Sequence, residues 1–185
     1  NKAPSFSIRS IIRDIDTKAQ PTAAQNALQI IMPSFREERR GVAWFAGNPL
    51  PITLFNGTQL PDGRGFGKLH IEHGADRFGG KPAMRQMLKK MMVGTFEENN
   101  PDYQIVPYKE PGAPTYQPQD HRMLWTDPDT KQPYALGLEL YRIQGIDHAA
   151  VTTFFPDTKV DIRPAPLTGR HATNDEILEY MKDQE

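Results

Sequence analysis

Residues 134–143 read YALGLELYRI, and this stretch decides the fold. In an extended chain, Leu136, Leu138, Leu140 and Arg142 fall on one face, and Glu139, Tyr141 and Ile143 on the other. Alternation of this kind marks a strand with one face in a core, so the leucine face is expected inside. Just before it, residues 127–131 (DPDTK) carry turn chemistry, and Arg122 to Thr126 reads as another strand. Just after it, residues 145–147 (GID) turn the chain into a strand from Ala149 to Phe155. Short turns between successive strands permit only antiparallel pairing, which predicts a meander of three strands.

Upstream the period changes. Lys81 to Val93 places Met84, Met87, Leu88, Met91 and Met92 on one helical stripe, with Pro82 in the first turn and Gly94 beyond the end. Its opposite face carries Arg85, Lys89 and Lys90. Near the start, Ile8, Ile11, Ile12 and Ile15 form a second helical stripe. A further helix is expected from Pro21, with Thr22 as its cap, Leu28, Ile30 and Ile31 as anchors, and Pro33 ending it. Short strands are expected at Val42 to Phe45 and Ile52 to Phe55, separated by the breaker cluster at residues 47–51. Residues 100–119 hold five prolines and read as a long irregular excursion. Thr173 and Glu176 have capping-box spacing for a C-terminal helix. The expected class is α+β, with N-terminal helices packed on an antiparallel meander sheet. The expected organisation is a helical lead-in over 1–40, a catalytic-type domain over 41–160, and a C-terminal tail over 161–185.

Composition narrows the function classes. The 185 residues include 22 basic and 23 acidic side chains, a formal charge of −1, which does not suit a general nucleic-acid binder but leaves room for a local basic patch. With no cysteine, disulfides, thiolate zinc sites and cysteine nucleophiles are excluded. No apolar run approaches the length of a membrane span. The chain opens on Asn1 without a signal-like apolar segment, which reads as a piece of a longer protein whose delivery signal lies elsewhere.

Chemistry concentrates in residues 65–74, GFGKLHIEHG. His70 and His73 stand three apart beside Glu72, in what reads as a flexible, glycine-bounded turn. Imidazoles titrate near neutral pH, so a pair can supply a general base and a general acid. RNA cleavage needs such a pair: the base takes the 2′-hydroxyl proton and the acid protonates the leaving 5′-oxygen. A cation or polar donor must hold the charge on the phosphoryl oxygens. The nucleophile is already tethered beside phosphorus, so no metal is required. Two other readings fit the same residues. They are ordinary surface histidines in a non-catalytic domain, or His70, His73 and Glu72, with His121, hold a metal in a hydrolase.

The 65–74 stretch resembles the Gly-x-x-His-Ile-x-x-(Arg)-His-Gly signature of the barnase–EndoU–colicin–RelE superfamily of toxin ribonucleases. Residues 151–156, VTTFFP, are similar to that family's late strand, in the expected order after a meander. The resemblance spans roughly residues 60 to 160. It implies a metal-independent endoribonuclease without cofactor, cutting RNA (a tRNA among the candidates) to a 2′,3′-cyclic phosphate. It also implies a secreted or delivered toxin domain acting in a target cytoplasm, or alternatively a cytoplasmic protein, neutralised by a cognate inhibitor protein.

The family's single catalytic histidine position matches either His73, through His73-Gly74, or His70, through His70-Ile71. His73 is favoured here, with His70 as its partner. The arginine is left open between Arg77, Arg122 and Arg142. Arg142, at the end of the leucine face, and Tyr141, on the more polar face, are candidate phosphate contacts. The resemblance places Thr153 near the scissile phosphate, and alternation alone does not choose between it and Thr152. Lys81, Arg85, Lys89 and Lys90 form the candidate patch for tracking the RNA backbone.

Overall fold

The computed structural model describes residues 7–18, 21–31, 41–45, 47–96, 99–107 and 120–157. The charged run at 36–40, most of the proline-rich stretch and the C-terminal helix expected at Thr173 lie outside these residues. The described elements are α1 (Ile8–Lys18), α2 (Pro21–Ala27), β1 (Val42–Phe45), β2 (Asn48–Thr53), β3 (Thr58–Gln59), β4 (Gly65–Phe66), α3 (Gly67–His73), α4 (Lys81–Val93), β5 (Tyr103–Pro107), β6 (Asp120–Thr126), β7 (Pro133–Ile143) and β8 (Ile146–Pro156). Short 3-10 turns follow α3 (Ala75–Phe78) and α4 (Gly94–Phe96).

Six strands form one mixed but mostly antiparallel sheet in the order β1-β2-β8-β7-β6-β5, and β3 pairs with β4 separately. The meander β6-β7-β8 is present as the alternation demands. Its far edge is extended by β5, which pairs antiparallel with β6 inside the stretch expected to be irregular. The four residues before Pro107 alternate well enough to join a ready partner, which prolines elsewhere in the stretch do not prevent. On the other side β2 runs parallel to β8 through Ile52 and Thr53. Pro49 and Pro51 lie within β2 rather than breaking it. They face Trp44 and Val42 of β1 at positions where no N–H is needed, and the pairing to β8 begins only after them. The sheet is nearly closed. Its edge strands β1 and β5 approach each other, and Phe45 of β1 meets the ring of His121 edge-on at 5.1 Å.

Both faces of β7 are covered, so residues 134–140 are all buried, Glu139 included. The leucine face packs with Met84, Leu88, Met91 and Met92 of α4 and Ile71 of α3 in one core. Burying each such side chain stabilises by about 1.5–3 kcal/mol. The opposite face is shared. Over its Glu139–Ile143 half lies α1, whose isoleucines meet Phe55, Phe66, Ala150 and Tyr141. Glu139 anchors this helix, accepting from the Ile8 amide at 2.7 Å and pairing with Arg9 at 2.8 Å. Ser7 caps it through its hydroxyl to the Ser10 amide. The second helix stops at Ala27, short of the expected Pro33, and begins at Pro21 with Thr22 already inside it. Ile30 and Ile31 leave it in an extended path because their backbone finds partners at Phe55 and Leu54.

A bulge marks the middle of the β7–β8 pair. Gly137 faces Thr153 and Leu138 faces Val151, so Thr152 is the extra residue. Val151 and Phe154 therefore both reach the core, while Thr153 and Phe155 share the outer face. Among the described residues no helix is long and apolar enough to cross a membrane.

Candidate active site

The glycine-bounded histidine stretch folds as a helix rather than a loose turn. Gly67 opens α3 at a φ of 76°, a left-handed conformation that other residues rarely adopt. The next two amides donate to the carbonyls of Phe55 and Asn56, which fixes the helix against the chain before β3. Gly65 serves space rather than torsion. A Cβ there would lie 2.7 Å from His70 Nδ1 and 2.8 Å from Gln59 Oε1. Its absence lets the imidazole close on the amide, and the two meet at 2.6 Å.

Gln59 Nε2 is turned to the Leu60 carbonyl and its oxygen to the ring, and an amide oxygen only accepts. In this orientation the contact calls for a proton on His70 Nδ1, while the state of Nε2 follows the titration of the ring. Burial pushes the His70 pKa below its ordinary value, and the charge of Arg77 and the neighbouring His73 push it the same way. His70 is half-buried and His73, at the helix end, is exposed.

Gly74 makes room for Arg77, whose guanidinium occupies the space a Cβ at position 74 would need. From there Arg77 lies 5.7 Å from the centroid of the Phe155 ring, and Arg122 of β6 lies 4.8 Å from the same ring. Register puts Arg122, Gly137 and Thr153 in one row across the sheet, on the face away from α4. At Gly137 the missing side chain makes room for Thr152, whose Oγ1 lies where a Cβ would be, and for the Thr153 methyl beside it. The structure thus brings Arg77 and Arg122 to Phe155, on the strand that also carries Thr152 and Thr153, and packs the histidine helix against that strand, with Arg77 folding back on the helix end at Gly74.

Other candidates lie elsewhere. Arg142 grips Asp147 through two bonds of 2.9 and 3.2 Å at the β7–β8 turn. It stands five residues along β7 from Gly137, about 17 Å away at strand rise. Tyr141 is covered by α1, edge-on to Phe55 at 5.6 Å and under Arg9 at 5.0 Å. Both residues were candidates by alternation, which fixes the face of a strand but not which half of that face a helix covers. The basic stripe of α4 lies on the far side of the sheet. Arg85 pairs with Glu72 at 3.0 Å, and Lys90 sits between Asp127 and Asp129 at 2.8 and 2.6 Å. Lys81 and Lys89 are exposed on the same helix.

No family model, no curated protein and no solved structure matches this chain.

Among the described residues no three His, Asp or Glu side chains converge as a metal ion would require. Glu72 is turned to Arg85, and His121 is buried against Phe45. Gln59 and Phe155 were not legible as functional positions. Gln59 meets His70 only because β3 and β4 pair, and Phe155 looks like any strand aromatic until two guanidinium groups converge on it.

Proposed function

We propose that this chain is a metal-independent endoribonuclease of the toxin type. The observation that carries the reading is a partly buried His70 held at Nδ1 by Gln59, with Arg77, which folds back on its helix, and Arg122 both over Phe155 on the strand of Thr153. In the reaction, His70 Nε2 takes the proton of the ribose 2′-hydroxyl, and the 2′-oxygen attacks phosphorus. The bond from phosphorus to the 5′-oxygen breaks, and His73 protonates the departing oxygen. The products are a 2′,3′-cyclic phosphate and a 5′-hydroxyl. Arg77 and Arg122 stabilise the charge that builds on the phosphoryl oxygens, and the Thr153 hydroxyl donates to the same group. RNA is the substrate, and a cognate inhibitor protein that occupies this face of the sheet is the expected partner.

The test is incubation with total RNA in EDTA, with product ends assayed for cyclic phosphate. Wild-type protein is expected to cut RNA and to spare a substrate carrying 2′-deoxyribose at the cleavage position. His70→Ala should lower the rate by about 10²–10⁴-fold, the range for a positioned general base. Absence of cleavage of every RNA tried, or cleavage that persists in His70→Ala, overturns the reading. Because the His70 pKa is lowered, activity should survive below the ordinary histidine range and fall only when His70 finally protonates.

A further inference from the structure

The geometry points to a nucleobase subsite in the cavity at the end of the sheet, between α4, the 75–78 turn and the Tyr134–Pro156 pair. This inference rests on the ribonuclease reading and adds what that reading lacks, a place where sequence can be sensed. The cavity measures about 380 Å³, within the range of small-molecule sites, and its walls include Arg77, Phe78, Gln86, Met87, Gln132 and Pro156.

Three features select the occupant. The first is continuity. Arg77 belongs both to this cavity and to the cluster around Phe155, and Pro156 follows Phe155 directly. Thr153 and Pro156 are three residues apart on β8 and face opposite sides of the sheet, so Arg77, at the strand end, is the residue the two regions share.

The second is the wall. Phe78 is stacked at 5.0 Å on Phe154 and at 6.0 Å on Tyr134, nearly parallel to the latter at 8°. It is a rigid aromatic edge, and with Met87 and Pro156 it offers an apolar slot for a flat ring. Gln86 and Gln132 add amides, each with both donor and acceptor atoms, which is what the mixed edge of a base demands.

The third is charge. Lys90 also lines the cavity, but Asp127 and Asp129 hold it, so that wall carries no surplus of positive charge. A phosphate seated there would be repelled by the two carboxylates, whereas a base carries no charge for them to repel. The phosphate belongs with Arg77 at the rim.

The experiment titrates wild-type protein with the four nucleoside 3′-monophosphates and, separately, inorganic phosphate, following NMR signals of the Met87 methyl and the Gln86 and Gln132 side-chain amides. The expected result is that one nucleotide moves these signals while inorganic phosphate does not. Met87→Trp, which fills the cavity, should weaken that nucleotide by about tenfold, in line with loss of a shaped base contact. Gln86→Leu, on the exposed side of α4, supplies a second variant if the tryptophan perturbs folding. Pocket signals that stay silent with every nucleotide, or that move equally with inorganic phosphate, overturn the subsite. So does an affinity unchanged in both folded variants. The readout does not require turnover, so the two ideas fail separately. Nucleotide binding at these signals without cleavage of any RNA keeps the subsite and removes the ribonuclease. Cleavage without base preference, and with silent pocket signals, does the reverse.

Discussion

Two sets of cations flank the sheet of this protein, one on α4 and one around Phe155. The α4 set is the more conspicuous in sequence, because Arg85, Lys89 and Lys90 recur on one helical face. In the fold, Arg85 and Lys90 are paired with carboxylates from α3 and from the β6–β7 turn. The second set, Arg77 and Arg122, lies 45 residues apart in the chain with no pattern to announce it. It converges on a single aromatic ring beside the two threonines and the histidine helix. Helical periodicity is therefore a weaker guide to how cations group than the contacts that the fold makes between distant elements.

The sharpest way to break this comparison is Arg77→Ala. Loss of one charge-stabilising donor at the phosphoryl group should cost about 10²–10³ in kcat. The same change removes one of the causes that lower the His70 pKa, so the acid limb of the pH–rate profile should move upward. A profile that stays in place would separate Arg77 from His70.

A third cation, Arg9, is paired with a buried carboxylate on the same face, and its partner makes a different prediction. Burial pushes Glu139 up to about 7 despite Arg9 and the helix amides, which favour the charged form. A carboxyl whose pKa is higher folded than unfolded stabilises below the unfolded value and loses that advantage as pH rises through the folded one. This group's contribution should therefore decline between about pH 4.5 and 7, by on the order of 3 kcal/mol. Urea titrations of Glu139→Gln across that window should show a flatter dependence than wild type. An identical slope in both proteins would show that Glu139 is not the group responsible.

Phe155→Leu removes the ring but keeps an apolar side chain on β8. With both guanidinium groups less firmly placed, kcat should fall by about tenfold, equal to about 1.4 kcal/mol of barrier. Rates equal to wild type would mean that the arginines hold their positions without the ring. The smallest effect belongs to the other side of the sheet. Arg85→Ala breaks an exposed pair with Glu72 and should cost about 0.2–1 kcal/mol of stability while leaving cleavage within about twofold. A large loss of activity there would restore α4 as the RNA-binding face.

Much of the architecture could be read in advance. The alternation in 134–143 and the turns around it specify the meander, and the methionine and isoleucine stripes specify α4 and α1. The misses share a cause. The β5 strand and the proline-bearing β2 depend on partners far along the chain, which supply pairing where local propensity is poor. The glycines of the histidine stretch suggest a flexible turn. Gly65 and Gly74 instead make space for Gln59 to meet His70 and for Arg77 to fold back.

By itself the sequence determined which residues face a core, where the chain must turn, and that two histidines stand beside three glycines. Only the tertiary structure decided which arginines converge on Phe155, that Gln59 meets His70, and that a bulge at Thr152 sets Thr153 over Gly137. The reason is range. Periodicity reports burial among near neighbours, whereas a site is made of contacts between elements whose meeting depends on the packing of the whole sheet.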